Sequence, residues 1–152
     1  MKTKWWEGFL SQEIANEYKT AVYCFCVYFF YAAYQLLQGR TTANIYYLIE
    51  MVIAAYVITQ IQVFLFKNFD EADRLAGREL LGLIVCSCLY GLVGQWLSWF
   101  DGNLLAAACF IIYVMLEYLT IFIANKIKRN IDSKKLNQLL DTYKQGKERY
   151  HD

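Results

Sequence analysis

"LLAAACFIIYVMLEYLTIFIA" (residues 104–124) runs directly into "NKIKRNIDSKKLNQLLDTYK" (residues 125–144), and the fold turns on that junction. The first piece has the length that a helix needs to cross a bilayer core, about 20 apolar residues. The second is far too polar to follow it into lipid, yet it keeps helical periodicity. A membrane span followed by a polar helical tail satisfies both observations.

Three other blocks repeat the apolar signal, at 20–37, 45–66 and 80–97. The chain has 152 residues, of which 58% are hydrophobic and 18% aromatic, with a mean hydropathy of +0.24. That is too apolar for a soluble domain, and the 19% of charged residues fall in a few short segments. After four crossings nothing is left to build a soluble core. The expected fold is an all-α membrane protein. It comprises a cytoplasmic amphipathic lead at 1–19, a four-helix transmembrane domain at 20–126 and a basic tail helix at 127–152.

The chain contains no proline, so nothing breaks these helices by deleting a backbone donor. Trp5, Trp6, Trp96 and Trp99 fall near block ends, where indoles anchor at the membrane interface. The tyrosines of "YCFCVYFFYAAY" (residues 23–34) are expected to fill helix contacts and share hydroxyl hydrogen bonds.

Charge sets the orientation. Of the 15 Lys and Arg residues, all but Arg40 precede the first block, lie between the second and third, or follow the fourth. Short loops with this bias place their basic side in the cytoplasm. A multi-pass protein of the cell membrane with both termini cytoplasmic is expected, and four spans independently require both ends to lie on one side. The 19 residues before the first block, and the absence of a small-residue cleavage pattern after it, argue against a removable signal peptide.

Chemistry is hard to find. Cys24 and Cys26, like Cys86 and Cys88, are spaced i, i+2, which turns the paired side chains roughly 200° apart on a helix. Neither pair can chelate one ion, and Cys109 makes the number odd. No HExxH, GxxxxGK[ST] or GxSxG pattern occurs, and the single histidine, His151, is next to last. No metal, no cofactor and no enzymatic activity are expected. The basic tail has no recognition motif beside it, so direct nucleic-acid binding is not expected either.

Packing signals are clearer. Ser87, Gly91, Gly94 and Ser98 recur at i, i+4, i+7 and i+11, a stripe of small residues that lets another backbone approach closely. Intrachain packing, with Ala106–Ala108 or Ala32 and Ala33 facing it, is the primary expectation; a homodimer is the other arrangement such a stripe allows. Gln60, Gln62 and Gln95 are expected to hydrogen-bond between helices. Glu117 lies about 12 Å inside the fourth span, where an ionised carboxylate is costly. Arg78, snorkelling from the mouth of the third span, is its expected partner. Glu50, near the outer end of the second span, is expected in the headgroups beside Arg40.

The polar segments are where a partner can bind. Residues 5–18 gather Trp6, Phe9, Leu10, Ile14 and Tyr18 near one face, as an interfacial helix would. In the loop "FKNFDEADRLAGRE" (residues 66–79) the acidic Asp70, Glu71 and Asp73 nearly cancel Lys67, Arg74 and Arg78, and a solvated helix start is expected rather than a metal site. In the tail, Ile127 and Ile131 extend one face of the fourth span. Asp132 or Ser133 then caps a new helix, which carries Leu136, Leu139, Leu140 and Tyr143 on a nearly opposite face. Lys134, Lys135 and Lys144 rim that stripe, suiting an acidic partner surface or anionic lipid. A lone helix this short is marginal unless its apolar face is covered.

The short loops, "VFLFKNFDEADRLAGREL" leading into the third span, "WF" closing it, and a fourth span continuing through "NKIKRNIDSKKLNQLL" together resemble the small bacterial membrane proteins encoded beside LytTR-type transcription regulators. The resemblance covers most of the chain by architecture. It implies a membrane-bound antagonist that holds a cytoplasmic DNA-binding regulator inactive. The aromatic first span and Trp-bearing lead lie outside it. An accessory subunit of a larger membrane complex ranks second. A small dimeric proton-coupled exporter ranks third, because four-helix exporters carry their key Glu in the first span and this first span has no acidic residue.

Overall fold

A computed structural model describes residues 2–148, with side chains described from Trp6 to Lys144. Four α-helices form it: α1 (Lys2–Leu37), α2 (Ile45–Phe66), α3 (Arg78–Trp96) and α4 (Leu104–Glu148), with a single 3-10 turn at Phe69–Glu71 and no strand among the described residues. All four are long and apolar enough to cross a membrane. α1 packs on α2, α2 on α3, α3 on α4, and α4 closes the ring on α1. The α1–α2 and α3–α4 turns lie at one end, called the hairpin end below. The α2–α3 loop and the two outward extensions of α1 and α4 share the other, the terminal end.

Local chemistry sets the boundaries. Asn44 caps α2 by accepting from the Tyr46 N–H at 3.0 Å, and Asn103 caps α4 through the N–H groups of Leu105 and Ala106. α2 stops where Lys67 and Asn68 turn left-handed. Gly77, at φ 54° and ψ −107°, opens α3 in a conformation that a side chain would strain.

Where lead and tail are concerned, the structure departs from expectation. α1 is unbroken from Lys2, so the lead is not a separate interfacial helix, and α4 is unbroken through Asp132 and Ser133, which cap nothing. Neither junction contains a residue that stops a helix.

The faces of α4 differ too. Its buried stripe is Ala107, Phe110, Val114, Tyr118 and Phe122. Steps of three and four residues carry this stripe through Asn125, Arg129 and Asp132 to Leu136, Leu140 and Tyr143. Ile127 and Ile131 instead prolong the outward face of Leu116 and Ile123. The tail stripe is therefore the core-facing side of α4 carried beyond the bundle.

The interior is largely aromatic. Phe110 touches Phe30 and Phe100 at 5.1 Å between ring centroids, and Tyr90 and Trp99 at 6.4 Å. Tyr23, Val27, Tyr31 and Tyr34 line the inner face of α1, while Phe25 and Phe29 point outward. The α1 tyrosines find hydroxyl partners as expected of them: Tyr34 donates to the Phe100 carbonyl at 3.0 Å, and the half-buried Tyr28 donates to the Leu48 carbonyl at 2.9 Å, whereas the buried hydroxyls of Tyr90 and Tyr118 have no hydrogen-bond partner among the described residues. The outer face of all four helices stays apolar, with residues such as Ile53, Val57, Leu92 and Ile112 exposed. A water-soluble monomer does not present a continuous apolar belt of that kind.

Candidate functional site

The small-residue stripe faces inward and is used within the chain. A Cβ on Gly91 would lie 2.2 Å from Ile111 Cγ1 on α4, and one on Gly94 would meet Trp99 and Phe100 in the α3–α4 turn. Ser87 is buried and donates to its own helix at Leu83, whereas Ser98 is exposed, at φ 57° in that turn. Gly91 and Gly94 are thus the residues that let α3 and α4 close. Ala106 and Ala107 are buried; Ala108 is not.

The expected partners of the two glutamates are corrected. Arg78 does not reach Glu117; its guanidinium is taken by the Leu65 carbonyl at the end of α2, 3.1 Å from Nε. Glu117 sits half-buried in the α1–α4 seam, where the Cys26 thiol donates to it at 3.5 Å. Tyr113 lies beside it and donates to the Cys26 carbonyl. Glu50 accepts from the indole N–H of the buried Trp99 at 3.0 Å, not from Arg40. Arg40 pairs instead with Asp101 at 2.8 Å, which joins the two hairpin turns across the surface. The glutamines do not make the expected bonds between helices: Gln62 is fully buried with neither polar side-chain atom hydrogen-bonded among the described residues, Gln60 is half-buried, and Gln95 donates to Gly102 within its own hairpin.

The site that sequence reasoning missed is the α2–α3 loop. The loop is not a solvated helix start, because the Phe69–Glu71 turn folds back into the terminal end of the bundle, against α2, α3 and α4. Phe69 and Asp70 are completely buried. Asp70 has one carboxylate oxygen 2.9 Å from Lys19 Nζ and the other 2.8 Å from the Tyr23 hydroxyl. Lys19 also meets Glu71 at 2.7 Å and the Asn68 side chain, so three acceptors saturate its ammonium. From the opposite side, Asn125 donates to the Asp70 carbonyl at 3.1 Å, and Arg129 grips the carbonyls of Glu71 and Ala72.

One loop is thereby held by α1 through Lys19 and Tyr23, and by α4 through Asn125 and Arg129. A buried carboxylate is tolerated because its charge and both oxygens are met. The signals were present but weak: a lysine at the border of the first span, a Phe-Asp pair inside a charged loop, and Asn125 and Arg129 one helical turn apart.

Just beyond this clamp α1 and α4 separate around a cavity of 590 Å³, lined by Ser11, Ile14, Tyr18 and Lys19 on one side and by Ile121, Asn125 and Lys128 on the other. Leu136, Leu139, Leu140 and Tyr143 lie further along α4, all exposed, with Lys134, Lys135 and Lys144 exposed around them. All five cysteines are free thiols, and no group of three His, Cys, Asp or Glu side chains among the described residues is placed to hold a metal. Compared with protein-family models, curated proteins and solved structures, the chain matches none of them.

Proposed function

We propose that this chain is a non-enzymatic multi-pass protein of the cell membrane, with both termini cytoplasmic, that binds and restrains a cytoplasmic protein partner through the projecting part of α4. The observation that carries this reading is the unbroken 45-residue helix α4, whose core-facing stripe continues past the bundle and ends in exposed Leu136, Leu139, Leu140 and Tyr143. The part beyond residue 124 extends about 36 Å at 1.5 Å per residue. Since α4 continues its own span, its far end stands well beyond the roughly 8 Å over which headgroup charge is felt at physiological salt. A protein surface therefore fits the stripe better than the membrane plane does. The basic rim favours an acidic one. The resemblance noted above names the class of partner, a LytTR-type transcription regulator encoded beside the gene.

The test is co-purification of that regulator with three forms of the full-length protein in mild detergent: intact, stopped after Arg129, and Leu139→Ser with Leu140→Ser. Burial of a leucine is worth about 1.5–3 kcal/mol, so each serine should weaken capture roughly tenfold or more. Stopping after Arg129 keeps the clamp on the loop. Equal capture by the intact and stopped chains would overturn the proposal and shift attention to residues 5–18 or the 67–78 loop.

A further inference from the structure

The 590 Å³ cavity between α1 and α4 has the size of a small-molecule site and an amphiphilic wall. The half-buried Val22 and Ile121 give its wall an apolar part, whereas the exposed Tyr18, Glu71 and Lys128 make its rim polar. Its depth is set by sequence: Lys19 immediately precedes the first apolar block and Lys128 follows the last by one helical turn.

The charges on its floor are closed to a ligand. Three acceptors take the Lys19 ammonium, and both Asp70 oxygens are engaged. Two charges remain on the rim. Lys128 makes no ion pair or hydrogen bond among the described residues, and Glu71 has one carboxylate oxygen on Lys19 with its side chain 52% exposed. A ligand for this site therefore needs both an anion and a cation, with an apolar chain beside them.

We propose that the cavity binds a zwitterionic aminophospholipid of the phosphatidylethanolamine type, with its phosphate on Lys128, its ammonium on Glu71 and the first methylenes of an acyl chain against Val22 and Ile121. A purely anionic headgroup sets negative charge against Glu71. A choline headgroup has no N–H to donate to that carboxylate. The inference rests on reading the four helices as membrane spans and is independent of the protein partner. Bound lipid would wedge between α1 and α4 next to the loop clamp.

The test uses the full-length protein purified in mild detergent and exposed to mixed micelles holding equal amounts of phosphatidylethanolamine, phosphatidylglycerol and phosphatidylcholine, with bound lipid read by native mass spectrometry. Selective retention of phosphatidylethanolamine is expected. Lys128→Gln, an exposed position that leaves the fold intact by circular dichroism, should lower its retention roughly tenfold through loss of one charge-assisted contact. Ile14→Trp should displace it by filling the cavity. Soluble glycerophosphoethanolamine, which has the headgroup without the chains, should not compete. Preference for phosphatidylglycerol, equal retention by Lys128→Gln, full competition by the soluble headgroup, or no retained lipid each overturns the proposal. Alkaline carbonate extraction of native membranes separates the two levels. Release of the protein removes the membrane reading itself, whereas a protein that stays in the membrane without this lipid preference removes only the lipid site.

Discussion

Lys19→Met removes the cation that holds the loop clamp together. In the folded chain Asp70 is fully buried, with Lys19 Nζ at 2.9 Å and the Tyr23 hydroxyl at 2.8 Å as its side-chain partners. Methionine keeps the stem and deletes the charge, leaving a buried carboxylate with a single donor. Removing one partner of a buried pair costs about 3–5 kcal/mol. The Lys19 side chain is only 11% exposed, so solvent screening does little to reduce that figure. Its contact with the half-exposed Glu71 adds at most about 1 kcal/mol. The expected loss is therefore about 3–6 kcal/mol of unfolding free energy. Asp70→Asn in the same chain removes the orphaned charge, and the double variant should fall short of the sum of the singles by about 1–3 kcal/mol. Denaturant titration in mixed micelles, followed by circular dichroism, reads both quantities. A loss below about 1 kcal/mol for Lys19→Met, or strict additivity in the double variant, would show that the loop is not clamped as described.

Gly91→Val places a branched Cβ in the space of Ile111, whose Cγ1 would lie 2.2 Å away; overpacking of this kind costs about 1–3 kcal/mol, and Ile111→Ala should restore part of it in the same titration. Glu117→Gln should leave insertion intact and stability within about 1 kcal/mol, because the amide oxygen still accepts from Cys26 and no cation pairs with Glu117 among the described residues. A substrate flux that disappears in Glu117→Gln would promote the exporter reading. For topology, single cysteines in a chain without its native ones should label from outside intact cells at positions 42 and 102, and not at 10, 74 or 143; external labelling at 143 refutes cytoplasmic termini. Position 74 serves for the loop because Arg74 is exposed, whereas Asp70 is buried.

The helices were legible because an apolar block of span length is a strong signal. The block at 45–66 coincides with α2, and the first block ends at Leu37 together with α1. The small stripe was legible for a related reason, since glycine four and seven residues from serine on an apolar helix has few uses besides close approach. The pairings of Glu50, Arg78 and Glu117 were not, because each depends on the rotation of two helices about their axes. Proximity along the membrane normal suggested Arg78 for Glu117, but α4 presents Glu117 to Cys26 on α1, while Arg78 turns back to the end of α2. The loop was misjudged on net charge. Asp70, Glu71 and Asp73 nearly cancel Lys67, Arg74 and Arg78 in sequence, yet the cation that meets Asp70 is Lys19, 51 residues away.

The face of the tail shows why apolar patterning loses its meaning at the edge of a bundle whose outer face is apolar. Ile127 and Ile131 are apolar and follow Ile123 at helical spacing, which in a water-soluble helix marks the core. In a bundle facing lipid the outside is as apolar as the inside, so hydrophobicity does not say which way a residue points. Polar residues carry that information instead. Asn125 and Arg129 follow the buried Tyr118 and Phe122 on one stripe, and they spend their donors on the carbonyls of the inserted loop. That places the inward face of α4 at Asn125 and Arg129. Leu136, Leu140 and Tyr143 continue it, so a helix bound to them would extend the bundle rather than attach to its side. Disrupting the loop clamp and removing the tail stripe therefore act on the same face of one helix, and a partner held on that stripe would be coupled to the loop through α4 itself.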